Sequence, residues 1–174
     1  MKSSGGIWTV FVLWLLTGLV LPAREYYVAT NGNDSFATNW VTAYTNIQTA
    51  LDAAGNGDVI HLAGHTFTIG SQLSWTASGV TIRGGYGGSG TPGTNNPALW
   101  PTTIRPAAGG IRVLQISGLT GGTLEQVTIT GGSVGTTGGG INIVANSTVT
   151  IAGCIVRGNA VSESSGAGIC AQNS

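Results

Sequence analysis

Short runs of alternating apolar and polar residues follow one another from residue 58 to residue 174, and glycine-rich turns separate them. A period of two residues is typical of a strand that buries one face. The pattern therefore predicts a chain made almost entirely of β-strands. The first strands are expected at 25–29, 59–62, 67–69, 80–82 and 103–104.

One segment near the start has a different period. Its apolar residues are spaced i, i+3, i+4 and i+7, on one face of a helix, at Ile47, Ala50, Leu51 and Ala54. Thr45 or Asn46 can cap the start of this helix, and the Gly-Asn-Gly sequence at 55–57 ends it. A short helix in front of a stack of strands would cover the apolar end of the first layer.

The triplet Gly-Gly-Ile recurs along the second half of the chain. It occupies 109–111 and 139–141, and Ala-Gly-Ile occupies 167–169, so the steps are 30 and 28 residues. Repeats of this length indicate a solenoid, in which equivalent strands stack on one another. With a shift of 28 residues, Val127 falls on Ile155 and Ile141 falls on Ile169. We expect these four side chains to point inward and the threonines at 128, 130, 148 and 150 to point outward.

Two stretches depart from the strand pattern. The sequence SGTPGTNNPALWP at 89–101 is too rich in glycine, proline and asparagine for regular structure, so we expect a protruding loop over 87–101. The last residues, 171–174, lie within a coil and form no polar cap. The sequence thus predicts a solenoid that is truncated at its C-terminus; the alternative is a short protein that a partner caps.

The first residues have the pattern of an export signal. Lys2 precedes an uncharged stretch whose apolar core, 7–21, is shorter than the roughly 20 residues that span a bilayer. We predict a signal peptide at 1–23 with cleavage after Ala23, and therefore a secreted protein or one on the bacterial cell surface, at the outer membrane. An uncleaved N-terminal anchor is the alternative. Residues 24–57 then hold the first strand, a loop and the capping helix, and 58–174 hold the coils.

Composition narrows the class of protein further. The chain has 30 glycines in 174 residues, six basic and six acidic side chains, and only 7% charged residues, against roughly 25% in an average protein. A nucleic-acid partner is not expected, because binding one needs a face rich in lysine and arginine. The hydrophobic fraction of 41% argues against a disordered chain.

Four segments resemble a known superfamily. They are YYVATNGNDS at 26–35, NIQTALDAAGNGDVIHLAGHTFTI at 46–69, VTIRGGYGGSG at 80–90 and IVRGNAVSESSGAGI at 155–169. They are similar to secreted right-handed parallel β-helix proteins of the pectin-lyase-like superfamily, and the repeats resemble those of polymorphic outer membrane proteins and other bacterial surface β-helix proteins. The resemblance implies an all-β, right-handed parallel β-helix with a short N-terminal capping helix. The chain departs from the pattern at 155–156, where the repeat usually has phenylalanine, and at 65–67, where Gly-Thr-Tyr is common.

The acidic residues are too scattered for the chemistry of that superfamily. Its lyases use carboxylates that converge on calcium, with an arginine or lysine as base, and galacturonan hydrolases need paired carboxylates. The acids here stand far apart in the sequence, at Glu25, Asp34, Asp52, Asp58, Glu125 and Glu163. We therefore expect no catalytic residue, no metal ion and no cofactor in this segment.

Other polar candidates carry weaker signals. Four arginines could form a basic strip but are expected to be isolated and solvated, at Arg83, Arg105, Arg112 and Arg157. His61 and His65 share a strand face, yet two ligands make a poor metal site, so a structural role is favoured. Cys154 and Cys170 can form a disulfide in an exported protein or serve as small core residues, and the sequence leaves both open.

Aromatic side chains are the best candidates for binding a ligand. Trp100, Tyr86 and Trp75 are predicted to stack on sugar rings, with Trp40 as a further candidate, because Trp100 and Tyr86 flank the long loop. The alternative for Trp100 is that it packs the loop onto the wall.

The sequence therefore predicts a secreted or cell-surface β-helix segment with a structural, adhesive or glycan-binding role and no catalytic site of its own. Its expected partner is an extracellular polysaccharide or cell-surface glycan, with membrane contact only through export or a C-terminal anchor. The alternative is the N-terminal part of a polysaccharide lyase or glycoside hydrolase that acts on pectin-like polymers and has its catalytic coils downstream.

Overall fold

The computed structural model describes residues 22–163 and 166–172. The predicted signal peptide therefore lies outside the described residues, except for Pro22 and Ala23. The described residues form one helix, α1 (Ile47–Ala53), and fifteen strands. The strands, in chain order, are β1 (Glu25–Val28), β2 (Val59–Ala63), β3 (Thr66–Ile69), β4 (Leu73–Trp75), β5 (Thr81–Tyr86), β6 (Thr102–Pro106), β7 (Leu114–Ser117), β8 (Thr123–Glu125), β9 (Val127–Thr130), β10 (Ser133–Val134), β11 (Ile141–Val144), β12 (Thr150–Ala152), β13 (Ile155–Arg157), β14 (Ala160–Val161) and β15 (Ile169–Ala171).

The strands belong to four sheets, and their pairings are all parallel. Sheet I has the order β1-β2-β5-β8-β12, sheet II β3-β6-β9-β13, sheet III β4-β7-β11-β15 and sheet IV β10-β14. The chain passes through sheets I, II and III in turn and then returns to sheet I. Stacked parallel sheets visited in this order are compatible with a parallel β-helix or another solenoid.

The hydrophobic core lies between the sheets and is built from ladders of equivalent residues. In sheet I, Tyr26 pairs with Ile60, Ile60 with Ile82, and Ile82 with Leu124. All four are buried. Sheet II stacks Phe67, Ile104 and Ile129 in the same way, and all three are buried. The predicted strand alternation is confirmed, because apolar residues at every second position point into the core.

The register of sheet III corrects the repeat that the triplets suggested. Ile141 pairs with Ile169, as predicted, but its other neighbour is Leu114 rather than Ile111. Leu114 is buried, whereas Ile111 is partly exposed and precedes the strand. The Gly-Gly-Ile at 109–111 is therefore not stacked on the triplet at 139–141. The buried ladder sets the register, and the similarity of the two triplets does not.

A second correction concerns Ile155. The expected partner of Val127 was Ile155, but Ile155 pairs with Thr128, and Val156 pairs with Ile129. Because side chains alternate between the two faces, this shift of one residue turns Ile155 outward, where 56% of its surface is exposed. Val156 takes the inward position instead and packs against the core.

The helix is confirmed at the predicted place. Asn46 is its N-cap and accepts a hydrogen bond from the backbone N–H of Gln48 at 2.8 Å. The side chains of Ile47, Ala50 and Leu51 are buried in the core.

Gln48 also closes one edge of the strand stack. Its amide group donates to the backbone oxygen of Ser74 at 3.0 Å and accepts from the backbone N–H of Ser74 at 2.8 Å. Ser74 lies in β4, which is the outermost strand of sheet III. The side chain of Gln48 thus supplies the hydrogen bonds that a further strand would supply.

The outer edge of β1 is closed by the connection that follows it. Tyr27 and Ala29 donate their backbone N–H groups to the oxygens of Ala37 and Tyr44, both at 2.9 Å. The fold of this connection depends on Asp34, whose carboxylate accepts from the backbone N–H of Thr45 at 2.6 Å and from its hydroxyl at 2.8 Å. These bonds lower the pKa of Asp34, and they hold the connection against the strand.

Within the described residues, no helix has the length and apolar character to cross a membrane. Cys154 and Cys170 are both half-buried, and each has a free thiol.

The inward position of Ile141 can be tested against the outward position of Ile155. Ile141 is fully buried, so Ile141→Asp places a carboxylate in the core and should lower the free energy of unfolding by more than about 4 kcal/mol. The matched change Ile155→Asp lies on an exposed face and should cost less than about 1 kcal/mol. Thermal melts followed by circular dichroism distinguish the two. Equal losses of stability would show that the register described above is wrong.

Candidate functional site

The long connections of the molecule collect at one place. The long connections are residues 29–46, which follow β1, and residues 87–101, which follow β5; residues 64–65, a short turn, follow β2 between them. These strands are neighbours in sheet I, and the carboxyl ends of parallel strands meet at the same edge. In the later coils the equivalent connections are only Gln126 and 153–154. Long loops at one edge of a regular stack of strands are typical of a binding site.

A cluster of aromatic rings lies on the outer face of sheet I beneath these connections. His61 is at its centre, with its ring 5.2 Å from that of Tyr27 and 4.8 Å from that of Tyr86, between centroids. The ring of Trp40 covers both tyrosines, 4.9 Å from Tyr27 and 5.8 Å from Tyr86. We call Tyr27, Trp40, His61 and Tyr86 the aromatic cluster. All four residues are buried.

A β-bulge places Tyr86 in this cluster. His61 pairs with Arg83, but Ala63 pairs with Tyr86, so β5 has one residue more than β2 between these pairs. Gly85 has φ +89°, a backbone conformation that glycine adopts without strain. Without the extra residue, the alternation along β5 would point Tyr86 into the core.

Trp40 joins two of the long connections. Its indole N–H donates to the backbone oxygen of Pro92 at 3.0 Å. Trp40 lies in the connection 29–46 and Pro92 in the connection 87–101. The bond holds the two segments together over the aromatic cluster.

The three aromatic residues predicted to bind a ligand have different surroundings. Trp75 is fully buried within the core, opposite Ile116, and its indole N–H donates to the oxygen of Ala77 at 2.9 Å. Tyr86 is 3% exposed. A ring must be accessible to stack on a sugar, so neither ring is available for this role in the structure. The structure places Tyr86 beside Trp40, while Trp75 lies in a different sheet.

Trp100 is partly exposed and packs over glycines. A side chain at Gly64 would collide with its backbone and Cβ, and a Cβ at Gly87 would lie 2.8 Å from its ring. The ring therefore packs the loop 87–101 onto the stacked strands, in agreement with the alternative predicted for Trp100 from the sequence. Ligand binding by its remaining exposed surface stays a prediction.

His61 is buried without a hydrogen-bond partner. It is 3% exposed, and neither ring nitrogen has a partner among the described residues. The Oε2 atom of Glu25 lies 3.8 Å from Nε2, which is too far for a hydrogen bond. Burial lowers the pKa of His61, and this outweighs the attraction of Glu25, so the ring is neutral at pH 7.

Each of the best-placed carboxylates has a structural partner. Glu25 accepts from the hydroxyl of Tyr27 at 3.0 Å, and burial together with this bond raises the pKa of Tyr27 to about 12. Asp58 accepts two backbone N–H groups, from Arg24 at 2.7 Å and Gly55 at 2.8 Å. Among residues 22–163 and 166–172, no three His, Cys, Asp or Glu side chains lie close enough to hold one metal ion.

Two of the four arginines are also engaged within the protein. Arg83 forms a salt bridge with Glu125 on the outer face of sheet I, and this bond raises the pKa of Arg83. Arg112 donates to the backbone oxygens of Thr137 at 2.6 Å and Gly138 at 2.8 Å. Both side chains therefore stabilise the packing of neighbouring coils.

An open groove of about 270 Å³ lies between the long connections, next to the aromatic cluster. We call it the loop groove, and its lining residues are Asn31, Trp40, Val41, His65, Gly87 and Gly88. Val41 is 76% exposed at its border. None of these side chains is acidic or carries a lysine or arginine charge.

His65 is held in position at this groove. Its Nδ1 atom is 3.1 Å from the backbone nitrogen of Thr30 and 2.9 Å from the hydroxyl of that residue. Its ring centroid lies 6.2 Å from that of Phe67. His65 and Asn31 were not identified as ligand-binding residues from the sequence, because the groove forms only where separate connections meet. The signal that could have found Asn31 is the excess length of the connection 29–46, whereas the two-residue turn that holds His65 carries no such signal.

Comparison of the chain with protein-family models, with curated proteins and with solved structures gives no match in any of the three.

The buried position of His61 predicts a dependence of stability on pH. The pKa of His61 is below its usual 6.5 in the folded protein, so the unfolded chain binds more protons between these two pKa values. The free energy of unfolding should therefore fall as the pH falls from about 7.5 to about 5.5. In His61→Phe, which keeps an aromatic ring in the cluster, this part of the decline should disappear.

Melting temperatures measured across this pH range test the prediction. The other groups that face His61 remain in both proteins, namely Glu25, Tyr27, Arg83 and Tyr86, and so does His65. The difference between the two pH profiles therefore reports on His61. Parallel profiles would contradict the assignment.

Proposed function

We propose that this chain is a right-handed parallel β-helix, secreted or displayed on the cell surface, which has a structural or adhesive role and binds a glycan in the loop groove. The parallel sheets, the ordered stacking of strands and the helix at the first coil support the β-helix. The segments that resemble secreted β-helix proteins support the location. The stacked coils form the scaffold, and the connections at one edge of sheet I form the binding surface.

The observation that carries the binding proposal is the composition of the loop groove. Val41, which is 76% exposed, supplies most of the apolar surface, and Trp40 adds only the 7% of its surface that is exposed. Asn31 supplies an amide, and His65 supplies an imidazole. A sugar ring presents apolar C–H faces and hydroxyl groups, so it needs both kinds of contact. Sites for small molecules commonly combine an apolar lining with a few placed polar groups.

A second groove, of about 280 Å³, is less suited to this role. It lies between β3 and the first turn of α1. Its two amide side chains are already engaged, because Asn46 caps the helix and Gln48 bonds to β4. Buried Phe67 leaves little aromatic surface there. The loop groove is therefore favoured.

No observation in residues 22–163 and 166–172 favours the alternative of a polysaccharide lyase or hydrolase. Both functions predict binding of a polysaccharide, but only the alternative predicts cleavage. A rise in ultraviolet absorbance from unsaturated products, on incubation with polygalacturonate and calcium, would support a lyase.

Glycan binding is tested with the full chain on a glycan array, followed by titration calorimetry of the best ligand. Val41→Glu places a charge at the border of the groove without disturbing the core, and it should weaken binding by at least about tenfold, or about 1.4 kcal/mol. Leu99→Glu is the matched control, because Leu99 is 68% exposed but does not line the groove. Binding should be unchanged in this control. The proposal fails if no glycan binds or if the two variants behave alike.

A further inference from the structure

We infer that the loop groove selects an uncharged sugar and that His65 recognises it as a hydrogen-bond donor through its Nε2–H group. This inference rests on the proposed function, since it names the class of glycan for the same site. It is carried by the hydrogen bonds of His65 and by the absence of arginine and lysine from the residues that line the groove.

The tautomer of His65 follows from its partner. A backbone N–H is always a donor, so when Thr30 N lies 3.1 Å from Nδ1 the ring nitrogen must accept. The neutral ring then carries its proton on Nε2. The hydroxyl of Thr30, 2.9 Å from Nδ1, is compatible with this arrangement because it also can donate. Because Nδ1 accepts from Thr30, Nε2–H is the polar group of the ring that can donate to a ligand.

The position of the ring is constrained as well. The backbone N–H of His65 donates to the oxygen of Ala63 at 2.7 Å, which forms the tight turn between β2 and β3. The side chain is partly buried beside Phe67 and lines the loop groove. A donor that is held in place before binding loses little conformational freedom when a ligand arrives.

The lack of arginine and lysine among the residues that line the groove argues against an acidic sugar. A polyuronate carries one carboxylate on each ring, and recognition of a carboxylate typically uses arginine or lysine. None of the lining residues is arginine or lysine. Arg83 and Arg112 do not line the groove and are engaged elsewhere, with Glu125 and with backbone oxygens. An uncharged sugar, in contrast, presents hydroxyl groups that accept from Nε2–H and from the amide of Asn31.

The size of the groove limits what enters it. Its volume of about 270 Å³ lies just below the 300–1,000 Å³ that is typical of sites for drug-sized molecules. The groove is therefore suited to one sugar ring of a chain, with the remaining rings outside.

The test compares uncharged oligosaccharides with oligogalacturonate on the full chain at pH 8, by titration calorimetry. Neutral gluco-, xylo- and manno-oligosaccharides serve as the uncharged probes. We expect at least one of them to bind and oligogalacturonate to bind at least about tenfold more weakly. His65→Phe keeps a ring beside Phe67 but has no donor, so it should weaken binding by at least about tenfold. His65→Gln can accept from Thr30 through its oxygen and donate through its nitrogen, so it should recover much of the affinity.

The outcomes separate this inference from the proposed function. Preference for oligogalacturonate would overturn the choice of an uncharged sugar while glycan binding stands. Wild-type affinity in His65→Phe, with an unchanged melting temperature, would overturn the role of His65. Absence of binding to every glycan would reject the proposed function and this inference with it. Loss of binding in His65→Phe together with recovery of binding in His65→Gln supports the inference. A general loss of folding would not depend on whether residue 65 has a hydrogen-bond donor.

Discussion

The structure depends on the parallel stacking of equivalent apolar residues from one coil to the next. An inward side chain with a stacked neighbour on both sides, such as Ile141 between Leu114 and Ile169, is buried by these neighbours and by the facing sheets, whereas Ile169, in the last described strand, is 43% exposed. The backbone hydrogen bonds of the same strands have their partners in those coils. Burial and hydrogen bonding are therefore satisfied by one register, and a shift of one residue would lose the apolar contacts of a whole strand.

A stack of this kind needs its first layer to be closed, and the chain does this with few residues. The amide of Gln48 bonds to the edge of β4, and the connection after β1 bonds to the edge of β1. Because the hydrogen bonds at these edges come from a side chain and a loop, the segments that provide them also form part of the surface. Trp40, which lines the loop groove, lies in the connection that closes β1.

The outer face of sheet I differs from those of the other sheets because its side chains form a second buried cluster. The bulge in β5 turns Tyr86 outward, and Trp40 covers His61 and the two tyrosines. This cluster holds the long connections in fixed positions. A groove between them can then present its polar groups to a ligand in a fixed arrangement. Burial in this cluster lowers the pKa of His61, while the polar atoms of the groove come from Asn31 and His65.

Local patterns in the sequence were sufficient for the helix, most strands and the inward position of Ile141, because spacing and turn residues act over a few positions. They were not sufficient for the outward position of Ile155, since two registers one residue apart have similar local patterns. They also did not predict the stacking of Leu114 on Ile141, because the repeated triplet indicated Ile111, three residues earlier. The burial of Trp75 and Tyr86 and the formation of the groove at His65 also required the folded chain. These features depend on contacts between segments far apart in the sequence, and the energy of such contacts is set by how the coils stack.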